Sequence, residues 1–223
     1  MSVALAPLTV TGLTLTLGGR RILDDLTASF EPGIHVISGP SGVGKTSLLN
    51  VIVGYTQPDS GTIALPGPVS YLFQDELLFT SLTVAANLRI RLAAGDSEPA
   101  GPRASNQRSA PTDTAEDSAL AAITSALTRV GIDALVEQPV SALSGGERQR
   151  LQLAGILLDD PGVVLLDEPT SKLDPANRAL VAGSIANVFA GRIVIVVAHD
   201  DFAAHVPEAV RLELTGGRLR DLG

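Results

Sequence analysis

Gly39-Pro40-Ser41-Gly42-Val43-Gly44-Lys45-Thr46-Ser47 decides how this chain is read. Its spacing is that of a phosphate loop, G-x-x-x-x-G-K-[ST], and its flanks give the motif a physical context. Ile34-His35-Val36-Ile37-Ser38 before it has the composition of a buried strand, and Ser47 to Val53 after it has that of a helix. Glycines let successive backbone N–H groups turn inward around phosphate oxygens, and the helix N-terminus adds partial positive charge. Lys45 supplies a cation for the β- and γ-phosphates, and Thr46 a hydroxyl for Mg²⁺. A glycine-rich turn with a chance Lys-Thr would share the composition, but the order strand, loop, helix favours a nucleotide.

The bulk of the chain narrows the class. A length of 223 residues is enough to bury a sizeable core. A formal charge of −8 argues against a nucleic-acid surface. No cysteine is present and only three histidines, which removes thiol chemistry and leaves little for a zinc site. Met1 to Pro7 lacks the basic and apolar regions of a secretory signal. The apolar run from Ile193 to Ala198 is far too short to span a bilayer and reads as a core strand. A cytoplasmic location is expected, with membranes reached only through a partner.

Working outward from the loop, Leu8 to Leu17 and Ile22 to Phe30 read as strands joined at Gly18-Gly19, a small antiparallel layer beside a parallel core. Thr62 to Leu65 and Val69 to Phe73 read as two more, with Gln74 directly after the second. Val84, Ala85, Leu88 and Leu92 are spaced for one helical face, and helical spacing returns at Leu120, Ile123, Leu127 and Val130. Between them, residues 94–119 have almost no large apolar side chain and read as an exposed, flexible insertion. Gln149 to Leu158 and Ala176 to Phe189 read as helices, Val163 to Leu166 as a fully buried parallel strand, and residues 210–219 as a closing hairpin. The expected architecture is α/β: a P-loop NTPase core over residues 1–223, with an antiparallel β-subdomain and an inserted helical subdomain at about 80–160.

Three further stretches narrow the chemistry. Asp167-Glu168 follows a buried strand directly, where one carboxylate can hold Mg²⁺ and its neighbour can orient or deprotonate water. Alone, the pair would be an acidic turn before Pro169; with a phosphate loop upstream it points to nucleotide hydrolysis. His199 follows the next apolar strand, which suits a γ-phosphate contact better than a surface role. Leu143-Ser144-Gly145-Gly146-Glu147-Arg148-Gln149-Arg150 offers a second set of anion-binding donors at a helix start, although Ser-x-x-Glu also fits a capping box. A second anion site is redundant for one nucleotide in one chain. A symmetric head-to-tail pair resolves this, with Ser144 of each chain completing the site at the other's Lys45.

These residues together resemble the ATP-binding subunit of an ABC transporter, and the resemblance runs over nearly the whole chain. Gly39 to Thr46 is similar to the Walker A motif, Gln74 to the Q-loop glutamine, and Leu143 to Gln149 to the signature motif. Val163 to Glu168 is similar to Walker B, Ser171 to Asp174 to the D-loop, and His199 to the switch histidine, all in family order. The resemblance implies a homodimer or heterodimer of ATP-binding subunits closing on two ATP molecules with Mg²⁺. Lys45, Glu168, His199 and Gln74 would be catalytic, with Glu168 acting on water and His199 contacting the γ-phosphate. Gly39 to Ser47, Ser144, Gly145, Gly146 and Asp174 would bind nucleotide; Thr46, Gln74 and Asp167 would serve the metal. Asp174 would help couple the two sites, and the helical lobe, especially around Gln74 to Leu82, would dock an integral membrane permease, in some systems alongside a solute-binding protein.

The chain departs from the family in places. Leu8 to Asp25 contains no aromatic residue to stack on adenine, so Leu17 or Arg20 would cover the base. Lys172 stands where the D-loop commonly has a small residue, so it would pair across the dimer or face solvent. Soluble ABC-type ATPases of nucleic-acid or ribosome work usually carry two cassettes or a coiled-coil insertion, neither of which is seen. A regulatory binding module would lack a catalytic residue, yet Lys45, Ser144 and Glu168 are all present. His199-Asp200 resembles the His-Asp that the family's importers often have at the switch, which leans toward import or a stand-alone ATP-binding subunit.

Overall fold

The computed structural model describes residues 5–74, 78–95, 113–198 and 202–223. They fall into two compact units: 5–74 with 160–198 and 202–223, and 78–95 with 113–159.

The first unit contains two sheets. Strands β1 (Leu8–Leu17), β2 (Arg20–Phe30) and β4 (Ser60–Ala64) form a three-stranded antiparallel sheet in the order β2-β1-β4. Alternation along β1 buries Leu8, Val10, Leu13 and Leu15 on one face, as a half-exposed strand requires. The second sheet has six strands in the order β5-β6-β7-β3-β8-β9, built from β3 (Gly33–Ser38), β5 (Val69–Leu72), β6 (Val163–Asp167), β7 (Ile193–Val197), β8 (Val210–Thr215) and β9 (Arg218–Asp221). All neighbours are parallel except β8 and β9, whose hairpin closes the sheet. Strands β6 and β7 are buried at every position, which is why their sequences are continuous Val, Ile and Leu rather than alternating. Helix α1 (Lys45–Ile52) lays Leu48, Leu49, Val51 and Ile52 into a core shared by residues of both sheets.

Parallel pairing puts the C-terminal ends of β3, β5, β6 and β7 on one edge. Leu72 lies opposite Leu166, and Asp167 opposite Val197. Ligands of open α/β sheets bind outside such an edge.

The second unit is helical: α2 (Val84–Gly95), α3 (Asp113–Val130) and α4 (Gly145–Leu158). Its core includes Val84, Leu88, Ile123, Leu127, Val130, Leu151 and Leu153. Arg91 of α2 reaches Asp159 at 2.6 Å beyond the end of α4. Helix α5 (Pro175–Val188) belongs to the first unit.

The insertion expected at 94–119 is shorter than its composition suggests. Helix α2 runs to Gly95 and α3 starts at Asp113, so both ends of that stretch are helical. Glu116 and Asp117 give no apolar stripe, yet acidic residues near a helix start suit its dipole. The remainder of the stretch, 96–112, lies outside the described residues. Leu120 was expected on the buried face and is 44% exposed, the inward positions being Ile123, Ala126, Leu127 and Val130.

Candidate active site

The phosphate loop links β3 to α1, and close packing fixes both of its ends. Gly39 has φ 141°, and a Cβ there would come within 2.5 Å of the Leu214 carbonyl oxygen on β8. Gly44 has φ 113°, and a Cβ there would meet Ile22 Cγ2 on β2 at 2.4 Å. Both positions need a residue without a side chain, for conformation and for space. Gly42 also has a positive φ, of 71°, and together with Ser41 lies exposed at the loop's crest.

Lys45 opens α1 and is buried, its Nζ donating to the carbonyls of Gly39 at 2.8 Å and Pro40 at 3.0 Å. Its ammonium thus lies against the loop's own backbone. Burial lowers its pKa below the usual lysine value, while the carboxylates of Glu168 and Asp167 pull in the opposite direction.

Asp167 is the last residue of β6 and is 3% exposed. Its carboxylate accepts hydrogen bonds from the Thr46 hydroxyl and, at 3.2 Å on Oδ2, from the Tyr71 phenol. Burial raises its pKa, and these two donors oppose the rise. The Thr46–Asp167 contact ties the start of α1 to the end of β6.

Glu168 follows with φ 50°, a left-handed conformation uncommon for a non-glycine residue. Its backbone N–H donates to Val197 O at 2.8 Å, which holds the turn against β7. Gln74 donates its side-chain amide to Glu168 Oε2 at 3.1 Å. The Gln74 carbonyl in turn accepts from Lys172 Nζ at 3.1 Å. Lys172 therefore neither simply faces solvent nor depends on another chain for a partner. It reaches the Gln74 backbone because Ser171 and Leu173 bend the chain back, Ser171 Oγ donating to the Glu168 carbonyl at 3.1 Å.

Lys45, Thr46, Asp167, Glu168 and Gln74 thus converge at one sheet edge within the first unit. Asp174 of that unit serves as the N-cap of α5: its carboxylate accepts from Asn177 N at 3.1 Å and Asn177 Nδ2 at 2.6 Å, and Pro175 opens the helix. These bonds hold its pKa below the usual aspartate range. Ser144, Gly145 and Gly146 belong to the second unit. There Ser144 and Glu147 form a capping box, Glu147 Oε2 accepting from the Ser144 hydroxyl at 2.7 Å and its N–H at 2.8 Å. His199 lies outside the described residues.

The donor set around Thr46 and Asp167 fits a small hard cation. A hydroxyl and a carboxylate oxygen in direct contact suit Mg²⁺, which takes few protein ligands and fills its octahedron with water and phosphate oxygens. Among the described residues no group of three or more His, Cys, Asp or Glu could hold a metal.

Sequence reasoning missed Ile22 and Tyr71. Ile22 supports the loop from a strand that looked remote from it, and no local signal marks that contact. Tyr71 had a signal, a polar tip inside an apolar strand just ahead of Gln74.

The chain matches the family model described as "ABC transporter" over residues 23–171. It is 35% identical over 240 residues to the "Fe(3+) ions import ATP-binding protein FbpC 3" of Rhodococcus jostii, covering 97% of this chain and 62% of the relative. It is 33% identical to the "Aliphatic sulfonates import ATP-binding protein SsuB 1" of Nocardia farcinica, covering 95% of this chain and 77% of the relative. The chain thus spans about 62% of the length of the iron-import relatives it matches. Its fold is similar to that of cbiO1 from Clostridium perfringens, described as part of the ABC transporter complex cbiONQ. The TM-score is 0.78 at 25% identity, covering 96% of this chain and 86% of that one.

Proposed function

The chain belongs to the ABC transporter family, and from that premise we propose that it is a Mg²⁺-dependent ATPase that powers import through separate membrane permease subunits. The observation that carries this reading is the convergence of Lys45, Thr46, Asp167 and Glu168 at one sheet edge. Phosphoryl transfer asks mainly for positioning and charge stabilisation, and these groups supply both.

Phosphate oxygens replace the Gly39 and Pro40 carbonyls as partners of Lys45, and the exposed crest of the loop gives backbone N–H donors. Thr46 and Asp167 hold Mg²⁺, which neutralises charge on the phosphates when bound. Water attacks the γ-phosphorus, the bond to the bridging oxygen breaks, and ADP leaves with that electron pair. Glu168 orients this water and accepts its proton, once its carboxylate has let go of the Gln74 amide. Gln74 consequently senses the neighbouring permease and controls when Glu168 is available. His199 contacts the γ-phosphate.

Two chains, identical or different, enclose two nucleotides. Ser144, Gly145 and Gly146 of one chain contact the γ-phosphate bound by Lys45 of the other, which requires the Ser144 hydroxyl to turn from Glu147. Asp174 couples the two sites through the turn that it caps. The permease docks near residues 74–82, and a solute-binding protein delivers cargo to it. Among the described residues no helix is long and apolar enough to cross a membrane, which suits a subunit held peripherally at the cytoplasmic face. Import is supported by relatives named for import of iron and of sulfonates. Their cargoes differ, so the permease and not this chain selects the solute.

The test is phosphate release from Mg²⁺-ATP by the full chain, alone and with its permease. Glu168→Gln is expected to lower the rate by about 10²-fold or more while nucleotide still binds. A Glu168→Gln chain that hydrolyses ATP at the wild-type rate would overturn the assignment.

A further inference from the structure

The mechanism above makes no use of Tyr71, a buried tyrosine whose phenol meets the Asp167 carboxylate. Tyr71 is 8% exposed, and its phenol donates to Oδ2 of Asp167 at 3.2 Å. The sheet register explains the reach. Tyr71 lies opposite Leu165, and Asp167 projects from the same face of β6 two positions further on, within the length of a tyrosine ring. Other rings hold that ring in turn. Tyr71 and Phe73 have centroids 4.4 Å apart, and Phe73 stacks on Tyr55 at 5.8 Å and 13°. A chain with only five Phe and two Tyr thus gathers three of them into one cluster, from which the Tyr71 phenol reaches a carboxylate.

Asp167 receives two hydroxyl donors of different kinds. Thr46 stands at the phosphate loop and is the group that turns toward a cation arriving with phosphate. Tyr71 comes from the neighbouring strand β5, braced by the Phe73 and Tyr55 rings. When Thr46 turns away, the phenol still holds Oδ2 of the carboxylate. We propose that Tyr71 is a positioning residue, holding the Asp167 carboxylate preset for the divalent cation that accompanies the nucleotide. This rests on the reading of the site as a Mg²⁺-nucleotide site.

The experiment uses the full chain with Mn²⁺ as the spectroscopic stand-in for Mg²⁺ and a non-hydrolysable ATP analogue. Tyr71→Phe keeps the ring and removes only the hydroxyl. It is expected to weaken Mn²⁺ binding to the nucleotide complex by about fivefold to tenfold, with analogue affinity in EDTA unchanged. A merely structural tyrosine would lower the melting temperature without this split. Equal Mn²⁺ affinity in wild type and Tyr71→Phe overturns the proposal and leaves the nucleotide reading standing; a wild-type chain that binds neither ligand overturns both.

A second measurement needs no change at Tyr71. With two tyrosines in the chain, carbon-13 labelling of the phenol gives two signals, assigned with Tyr55→Phe. The Tyr71 Cζ signal is expected to move when Mg²⁺ joins bound nucleotide, and its failure to move overturns the proposal even if Tyr71→Phe does not fold.

Discussion

Glu168 combines two constraints at one position: a left-handed backbone and a carboxylate that accepts from the Gln74 amide. Non-glycine residues in that region carry roughly 1–3 kcal/mol of strain, which persists where the surroundings over-determine it. Here the surroundings are the 2.8 Å bond to Val197 O and the Ser171 hydroxyl on its carbonyl. Glu168→Asn, which tolerates the left-handed region, is expected to raise thermal stability by about 1 kcal/mol while abolishing hydrolysis. Calorimetry beside phosphate release checks both halves; a destabilised Asn variant would mean that the strain is not the controlling term. Gly44→Ala has the opposite sign, since its Cβ would meet Ile22 at 2.4 Å. It is expected to lose at least about 1–3 kcal/mol and nucleotide binding together, with Ile22→Ala restoring part of the stability but leaving the φ strain. An Ala variant as stable as wild type would show that Ile22 does not set the loop.

Among the elements, α4 offers the clearest test of how a functional motif is also structural. Ser144 and Glu147 cap it reciprocally, and those bonds hold the Glu147 pKa below the usual glutamate range. Ser144→Ala is expected to cost about 1 kcal/mol at neutral pH, whatever happens to hydrolysis. Because the folded pKa of Glu147 is depressed, its share of the stability is present above the unfolded value and lost as pH falls through the folded one. The gap between wild type and Ser144→Ala should therefore narrow with acidification below about pH 4, and denaturation series at several pH values would show a constant gap if the box contributes nothing. The elements also explain what could be read from the sequence. The strands at 163–166 and 193–198 were legible because complete burial demands unbroken apolar runs, and the phosphate loop because its backbone demands glycine. Asp113 to Ser118 was not, since a polar helical turn leaves no periodicity. Nor was the capping role of Asp174, a local contact in a stretch read for its family role. Ile22 under Gly44 was illegible for another reason, and Tyr71, though its polar tip was a signal, did not disclose Asp167 as its partner: each contact joins residues far apart in sequence, in the assembled first unit.

At the scale of the whole molecule, the proposed dimer makes a prediction that no single chain can satisfy. Lys45→Ala keeps its signature residues, and Ser144→Arg keeps its phosphate loop. Mixed in equal amounts, the two inactive chains should recover up to about a quarter of wild-type hydrolysis, since random pairing leaves one intact shared site in half of the dimers. No recovery in a mixture shown to exchange subunits would sink the shared-site arrangement. The walls of the phosphate loop carry a consequence of a different kind, one of timing. Gly39 rests on the Leu214 carbonyl, Ser38 Oγ donates to Leu212 O at 3.1 Å, and β3 pairs with β8 from His35 to Ser38. During synthesis, residues 39–47 are made about 160 residues before β8, and wait for that strand as their wall. A nascent chain ending at residue 205 is therefore expected to carry every residue named in the nucleotide site and still bind no nucleotide, until β8 at Val210–Thr215 follows and sets the loop.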